Sequence, residues 1–310
     1  MINFASDNVT GAAPEVLEAI LRANEGSVSS YGADPLTARV EARLSEIFER
    51  DCKVFPVATG TAANVLALST LVPPYGAIYC HEAAHINVDE CGGPEFYAGG
   101  AKLVALAGAG AKLSAATLSG AVYGSGDVHH VQPAAVSISQ TTELGAVYSP
   151  EETAAIAEVA RAEGLAFHVD GARFANALVS LGCSPAELTW KAGVDALSFG
   201  ASKNGALAAE AVIFFDPAQA KDFVYRRKRG GHLFSKMRFL SAQLEAYLTD
   251  DLWLRNAAQA NAMAARLAAG LAALPAVRFT EMPAANALFP HLPQAMIAGL
   301  TAAGFVVRPW

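Results

Sequence analysis

The sequence has few of the features that secreted, membrane-bound or nucleic-acid-binding proteins share. Only 16% of its 310 residues are charged, and the formal net charge is −7, so a basic surface for nucleic acid is not expected. The four cysteines lack zinc-ligand spacing and are too few for a disulfide framework. The first residues do not resemble a signal peptide, and no apolar run approaches the roughly 18 residues of a membrane helix. We therefore expect a cytoplasmic protein with reduced cysteines, without membrane or nucleic-acid partners.

The chain is instead rich in short apolar runs that alternate with helical patterns. Runs such as AAVSISQ, LAFHVD and DALSFG resemble strands, and SPEETAAIAEVARAEG has helical spacing with a capping box at its start. This alternation predicts an α/β fold with a mainly parallel central sheet. From residue 216, long helical patterns precede three short strand-like runs. We predict a large domain over residues 1–215, and a helical linker with a smaller C-terminal α/β domain over residues 216–310.

Charged residues stand at the ends of two of the most apolar runs. Asp170 ends LAFHVD, Arg173 follows it closely, and Lys203 comes shortly after DALSFG. In parallel sheets, ligands bind beyond the carboxyl ends of the strands. Because buried charges are costly unless they are paired, the three residues either form an internal ion-pair network or share a ligand.

Two further features are compatible with a ligand that has a phosphate and a flat ring. In ATGTAAN, Gly60 and Thr61 stand where a strand turns into a helix, and free N–H groups there favour an anion. By itself such a glycine is more often only a turn. His85 follows the run GAIYC and is either an ordinary histidine or one that stacks on an aromatic ring. A lysine such as Lys203 can bind an aldehyde, and an aspartate such as Asp170 can bind a basic ring nitrogen. Pyridoxal phosphate carries all four groups: a phosphate, a flat ring, an aldehyde and a ring nitrogen.

The order of these motifs resembles that of the L-threonine aldolases, and most of all the low-specificity and phenylserine aldolase branch. The resemblance extends over about residues 3–295. It rests on FASDNVTG, YGADPLTARVEARLSEIF, FPVATGTAANVLAL, HINVDECGGPEF, GDVHH, SQTTELGAVYSPEE, HVDGARFANA, FGASKNG and RGGHLFSKMRFLSAQ. It implies the aspartate-aminotransferase fold, fold type I of the pyridoxal-phosphate enzymes, and a homodimer or homotetramer with sites at the dimer interface.

The resemblance also implies which residues bind the cofactor, and it implies a site without a metal ion. Lys203 would hold pyridoxal phosphate as an internal aldimine, Asp170 would bind its ring nitrogen, and His85 would stack on its ring. Arg173 has two candidate partners, the ring phenolate of the cofactor and the carboxylate of the substrate. The phosphate would be held by Gly60, Thr61 and Arg238.

A second set of residues is implied to contact the substrate. Ser6 and Arg173 would bind its carboxylate, and His129 would lie near its hydroxyl. Tyr31 would line the site from the partner subunit. Arg308 lies in a run that corresponds to a carboxylate-binding segment, which in the family usually continues into a final helix; we therefore expect the sequence to be truncated there or to omit disordered residues.

The expected reaction is cleavage of L-threonine, L-allo-threonine or L-phenylserine to glycine and an aldehyde. The base that takes the hydroxyl proton is His85, His129 or an ordered water, and a group with a pKa near neutral suits this role. A β-eliminating lyase and an aminotransferase are alternatives within the same cofactor class. A non-enzymatic binder with a degenerate pocket is a further alternative, but such a pocket would have no need of Lys203.

Overall fold

The structure is a computed structural model that describes residues 2–308. Within these residues the strands are β1 (Ile2–Asn3), β2 (Lys53–Val57), β3 (Gly76–His81), β4 (Lys102–Leu106), β5 (Gln132–Ser139), β6 (Ala166–Gly171), β7 (Ala196–Phe199), β8 (Glu210–Phe214), β9 (Arg278–Phe279), β10 (Pro290–His291) and β11 (Phe305–Val306). The helices are α1 (Pro14–Ala23), α2 (Pro35–Ile47), α3 (Gly60–Leu71), α4 (His85–Val88), α5 (Gly93–Tyr97), α6 (Ala115–Ala121), α7 (Pro150–Ala162), α8 (Phe174–Leu181), α9 (Phe223–Arg229), α10 (Arg238–Leu248), α11 (Leu252–Ala272) and α12 (Gln294–Ala302).

Seven strands form the central sheet in the order β2-β8-β7-β6-β5-β3-β4. The strand β8 is antiparallel to both of its neighbours, and the other neighbouring pairs are parallel. The strands β2, β3, β4, β5, β6 and β7 therefore share one carboxyl edge, and α3 and α4 begin there. The predicted α/β fold with a mainly parallel sheet is confirmed.

Local sequence explains where the helices at this edge begin. The side chain of Thr59 accepts a hydrogen bond from the N–H of Ala62 at 3.1 Å and caps α3. Ser149 and Glu152 form the predicted capping box at the start of α7. The helix α3 is apolar on most sides, and residues 62–69 are all buried. A polar side chain on such a helix needs a partner inside the protein.

The main core packs aromatic side chains behind the strands that reach the carboxyl edge. Phe199, the last residue of β7, contacts Trp253 and Tyr247 edge-on, with ring centroids 5.7 and 6.1 Å apart. All three side chains are buried. Aromatic pairs of this kind contribute beyond the area they bury, so the end of β7 is held rigidly where the chain continues towards Lys203.

The two ends of the described chain meet. The strand β1 pairs in parallel with β11, with Ile2 opposite Phe305, while β9 and β10 form a separate antiparallel pair. The helix α10 packs against α1 and α2, so the region after residue 215 contacts the N-terminal helices. The predicted domain boundary at that residue stays a prediction. Among the helices within residues 2–308, none combines the length and the hydropathy that crossing a membrane would require.

Candidate active site

Asp170 lies at the carboxyl end of β6 and is almost completely buried, with 7% of its surface exposed. Its Oδ1 accepts a hydrogen bond from the backbone N–H of Ala172 at 3.0 Å. Its Oδ2 accepts one from Nδ2 of Asn64 at 2.8 Å. A carboxylate has about four lone-pair sites, so acceptor capacity remains. A buried carboxylate with spare acceptor capacity suits a ligand group that carries a proton or a positive charge.

The start of α3 offers donors on the same side of the sheet. In the described part of the chain, the N–H groups of Gly60 and Thr61 donate no hydrogen bond. A Cβ at Gly60 would have nothing within 4 Å, so the space beside it is open. Free N–H groups at a helix N-terminus favour a phosphate. One turn further along the same helix, Asn64 binds Asp170, so one rigid element places both features.

His85 begins α4 and is joined to Asp170 through two other side chains. Its Nδ1 lies 2.8 Å from Oε1 of Glu90, and the same oxygen accepts a hydrogen bond from Nδ2 of Asn64 at 2.8 Å. The hydrogen bond with Glu90 raises the pKa of His85; burial opposes this, and the charge of Asp170 adds to it. Burial raises the pKa of Glu90, and its hydrogen bonds to His85 and Asn64 offset this only in part. The pKa values of both groups therefore lie above their ordinary values.

The loop after β5 holds the first residue of α4. The backbone N–H of His85 donates to Oε1 of Glu143 at 2.9 Å, and Oγ of Ser139 donates to the same oxygen at 2.6 Å. Burial raises the pKa of Glu143, and these hydrogen bonds act against it. The end of β5 and the start of α4 are therefore tied together by one buried carboxyl group.

Lys203 lies on a short 3-10 helix, Ser202–Asn204, that follows β7. Glu210, at the start of the neighbouring β8, accepts hydrogen bonds from the backbone N–H groups of Ala201 at 2.8 Å and Ser202 at 3.3 Å. Burial raises the pKa of Glu210 to about 7 against these hydrogen bonds. The segment that presents Lys203 is thus held from the antiparallel strand beside it.

Arg173 pairs with an N-terminal aspartate that the sequence alone did not single out. Its Nε and Nη2 donate to Oδ2 and Oδ1 of Asp7 at 2.7 and 2.9 Å. Burial acts to raise the pKa of Asp7, but the charge and hydrogen bonds of Arg173, with the charge of Lys203, hold it below its ordinary value. Nη1 of Arg173 makes no hydrogen bond within residues 2–308. The internal ion pair of this arginine is therefore with Asp7, and one nitrogen stays available.

Tyr31 and Arg238 lie apart from this cluster. Arg238 begins α10, and its Nη1 donates to two backbone carbonyls after α1. Tyr31 is 49% exposed, and the Nζ of Lys228 lies 4.9 Å from the centre of its ring. In the described chain, none of these contacts reaches Asp170 or Lys203. The predicted homo-oligomer, in which the partner subunit would bring Tyr31 to the site, stays a prediction, and so does the phosphate-binding role of Arg238.

Three further predicted site residues lie in the loops and the terminal segments. His129 is exposed in the loop before β5, where its backbone N–H donates to Asp127. Arg308 is exposed after β11. The Oγ of Ser6 caps the 3-10 helix Asp7–Val9, so this serine directly precedes the partner of Arg173. The substrate-binding roles assigned to these residues stay predictions.

Four polar residues of the site were missed by reasoning from the sequence; Asn64, Glu90 and Glu210 are buried and Asp7 is partly buried. Two of them carried a signal, because a polar residue in or beside an apolar run is costly to bury without a partner. Asn64 interrupts the apolar helix α3, and Glu210 stands at the head of the apolar run EAVIFF. Asp7 and Glu90 lie in FASDNVTG and HINVDECGGPEF, segments that carry the family resemblance.

The donors and acceptors at this edge fit pyridoxal phosphate. Ligand atoms of His85, Glu90 and Asp170 lie within 4.8 Å of one another, but the amide of Asn64 donates to both carboxylates and holds them in a hydrogen-bonded network. The spare acceptor capacity of Asp170 suits a protonated ring nitrogen. The free N–H groups at the start of α3 suit a phosphate, and a lysine amine suits an aldehyde.

The fold and this arrangement define a pyridoxal-phosphate enzyme of fold type I. Residues 3–292 match the beta-eliminating lyase family, and the chain belongs to that family. The predicted fold type, cofactor class and lyase class are confirmed.

The family's threonine aldolases are among the most similar known proteins. The chain is 45% identical over 302 residues to low specificity L-threonine aldolases from Pseudomonas sp. (strain NCIMB 10558) and Pseudomonas aeruginosa. Each alignment covers 97% of this chain and 87% of the relative. The solved threonine aldolase structure from Leishmania major has a TM-score of 0.93 with 32% identity, covering 100% of this chain and 91% of that chain. The suspected resemblance to threonine aldolases is confirmed.

Proposed function

We propose that this protein cleaves L-β-hydroxy-α-amino acids, namely L-threonine, L-allo-threonine and L-phenylserine, to glycine and an aldehyde. The observation that carries the proposal is the hydrogen-bonded cluster of Asp170, Asn64, Glu90 and His85 at the edge of the sheet where Lys203 also lies. The names of the Pseudomonas relatives support the aldolase reaction over β-elimination and transamination.

In this proposal, residues of the cluster and of the adjoining carboxyl edge hold the cofactor. Lys203 would form the covalent link to its aldehyde, Asp170 would accept a hydrogen bond from its protonated ring nitrogen, and His85 would pack against its ring. Gly60 and Thr61 donate their N–H groups to its phosphate. The bound cofactor supplies a ring that takes up the electron pair left on Cα when the Cα–Cβ bond breaks.

The substrate is held and deprotonated by two residues of the same edge. The free Nη1 of Arg173 donates to the substrate carboxylate, while Asp7 keeps the guanidinium plane in place. Nε2 of His85 takes the proton from the β-hydroxyl oxygen. His85 suits this step better than His129 because its pKa is raised by Glu90, whereas His129 lies in an exposed loop.

An aldehyde assay tests the proposed function. Purified protein loaded with pyridoxal phosphate should release acetaldehyde from L-threonine and L-allo-threonine, and benzaldehyde from L-phenylserine, with one glycine per aldehyde. L-Serine phosphate and a keto-acid acceptor serve as probes of β-elimination and transamination. Formation of pyruvate or of a new amino acid, with no aldehyde from any of the three substrates, would replace the aldolase by one of those alternatives.

We expect Arg173→Lys to lower kcat/KM by about ten- to a hundredfold, mainly through KM. A lysine keeps the charge near Asp7, but it loses the planar fork and the free Nη1. Losing a charge-assisted hydrogen bond costs about 1.5–3 kcal/mol, which corresponds to that fall in kcat/KM. Steady-state kinetics and thermal melting should be measured on one preparation.

Arg39→Lys is the matched control for the arginine substitution. Arg39 makes a similar two-pronged contact with Glu245 at the protein surface. This control should leave kcat/KM unchanged. If Arg173→Lys lowered the melting temperature and left kcat/KM intact, Arg173 would be a structural partner of Asp7 and not a carboxylate-binding residue.

A further inference from the structure

Glu90 is the most deeply buried acidic group around His85, with no exposed side-chain surface. It follows the short helix α4 and turns back, so that its Oε1 lies 2.8 Å from Nδ1 of the histidine. Its Oε2 is buried and has no hydrogen-bond partner in the described chain. A fully buried carboxyl group that contacts a candidate catalytic histidine needs a reason beyond packing.

We propose that Glu90 is a positioning residue that keeps a proton on Nδ1 of His85 and so makes Nε2 the nitrogen that exchanges protons with the substrate. The part that concerns the substrate rests on the proposed aldolase function; the part that concerns the proton on the ring does not.

The amide of Asn64 determines which groups donate in this network. Its Nδ2 lies 2.8 Å from both Oε1 of Glu90 and Oδ2 of Asp170. The opposite orientation of the amide would put its carbonyl oxygen against two carboxylate acceptors, so the nitrogen must face them. Oε1 of Glu90 therefore accepts a hydrogen bond from Asn64. In the proposed arrangement, Nδ1 of His85 is the second donor to the same oxygen.

The other groups around His85 leave its second nitrogen free. Glu143 is bonded to its backbone N–H and not to its ring. Asp170 and Lys203 act on the ring through their charges, in opposite directions. Nε2 makes no hydrogen bond within residues 2–308, and the side chain is 36% exposed. A proton on Nδ1 thus leaves a neutral imidazole with its lone pair on the accessible nitrogen, which a general base requires.

Glu90→Gln tests this arrangement directly. If the glutamine oxygen takes the place of Oε1, the contacts with Asn64 and with Nδ1 of His85 are kept, but the negative charge is lost. If its NH2 group faces the ring, Nδ1 must become the acceptor and the proton moves to Nε2. Both outcomes lower the titration midpoint of His85, because the charge that favours its protonated form is gone.

Nitrogen NMR of the histidine rings in cofactor-free protein gives a readout that does not depend on catalysis. The signals of His85 are assigned by their loss in His85→Gln. In wild-type protein we expect the neutral ring to carry its proton on Nδ1. In Glu90→Gln we expect a lower midpoint, with or without transfer of the proton to Nε2. An unchanged midpoint together with an unchanged tautomer would overturn the proposal.

Kinetics of the loaded enzyme add a second readout. Glu90→Gln should lower kcat by about a hundredfold with a much smaller change in KM. In the pH profile of kcat, the acid limb should move to lower pH. A rise in KM with an unchanged pH profile would mean that the glutamate only supports the loop after α4.

Glu90→Asp is the second variant, and it is needed if the glutamine variant does not fold. It keeps the carboxylate with a chain shorter by one methylene, so the midpoint of His85 should stay closer to that of the wild type. A midpoint lowered as strongly as in Glu90→Gln would show that the charge is not responsible. If the NMR result holds while no aldehyde forms from any substrate, the proposed function fails and the proton assignment stands.

Discussion

Lys203→Ala should abolish turnover, with a fall in kcat of about a thousandfold or more. Alanine leaves no amine for the cofactor aldehyde. The backbone of the segment should be kept, because Glu210 binds the N–H groups of Ala201 and Ser202 and not the lysine side chain. Turnover and visible absorbance after dialysis should both be measured.

Lys191→Ala is the matched control, since Lys191 pairs with Glu49 at the protein surface. This variant should keep both the visible absorbance of bound cofactor and its turnover. Borohydride reduction of the wild-type protein, followed by peptide mapping, should place the pyridoxyl group on Lys203. A label on Lys191 or Lys236, or normal turnover of Lys203→Ala, would show that another lysine binds the cofactor.

Asp170→Asn should keep the fold and lower kcat by about a hundred- to ten-thousandfold. A neutral amide cannot stabilise a protonated ring nitrogen, so the cofactor ring takes up electrons less well. The change also disturbs the protein itself. Both partners of Asp170 are donors, the N–H of Ala172 and the amide of Asn64, so the new NH2 group must face one of them. Leaving one donor unpaired costs about 1–3 kcal/mol of stability.

Measuring kcat and the melting temperature of Asp170→Asn on one preparation separates the loss of catalysis from the loss of stability. Asp216→Asn serves as the control, because Asp216 is exposed and its carboxylate caps the 3-10 helix after β8. It should leave kcat unchanged. Turnover of Asp170→Asn close to that of the wild type would contradict the role given to Asp170, whatever happens to the melting temperature.

Much of the fold follows from local features of the sequence. The apolar runs that end at Asp170 and shortly before Lys203 are strands, and the capping box at Ser149 begins a helix as predicted. These features depend on residues a few positions apart, and parallel strands bring their carboxyl ends to one edge without further information. The positions of Asp170 and Lys203 at that edge could therefore be predicted from the chain alone.

The partners of these residues were decided by the tertiary structure. Arg173 binds Asp7, which lies 166 positions away, and Asp170 binds Asn64, which lies 106 positions away. No periodicity or spacing connects such residues, because each contact depends on how α3 and the N-terminal segment pack onto the sheet. The sequence by itself determined which charged groups reach the carboxyl edge, and the packing of distant segments decided which groups pair there. Burial then raises the pKa values of Glu90 and Glu210 at the site, because it removes the water that would otherwise stabilise their charges.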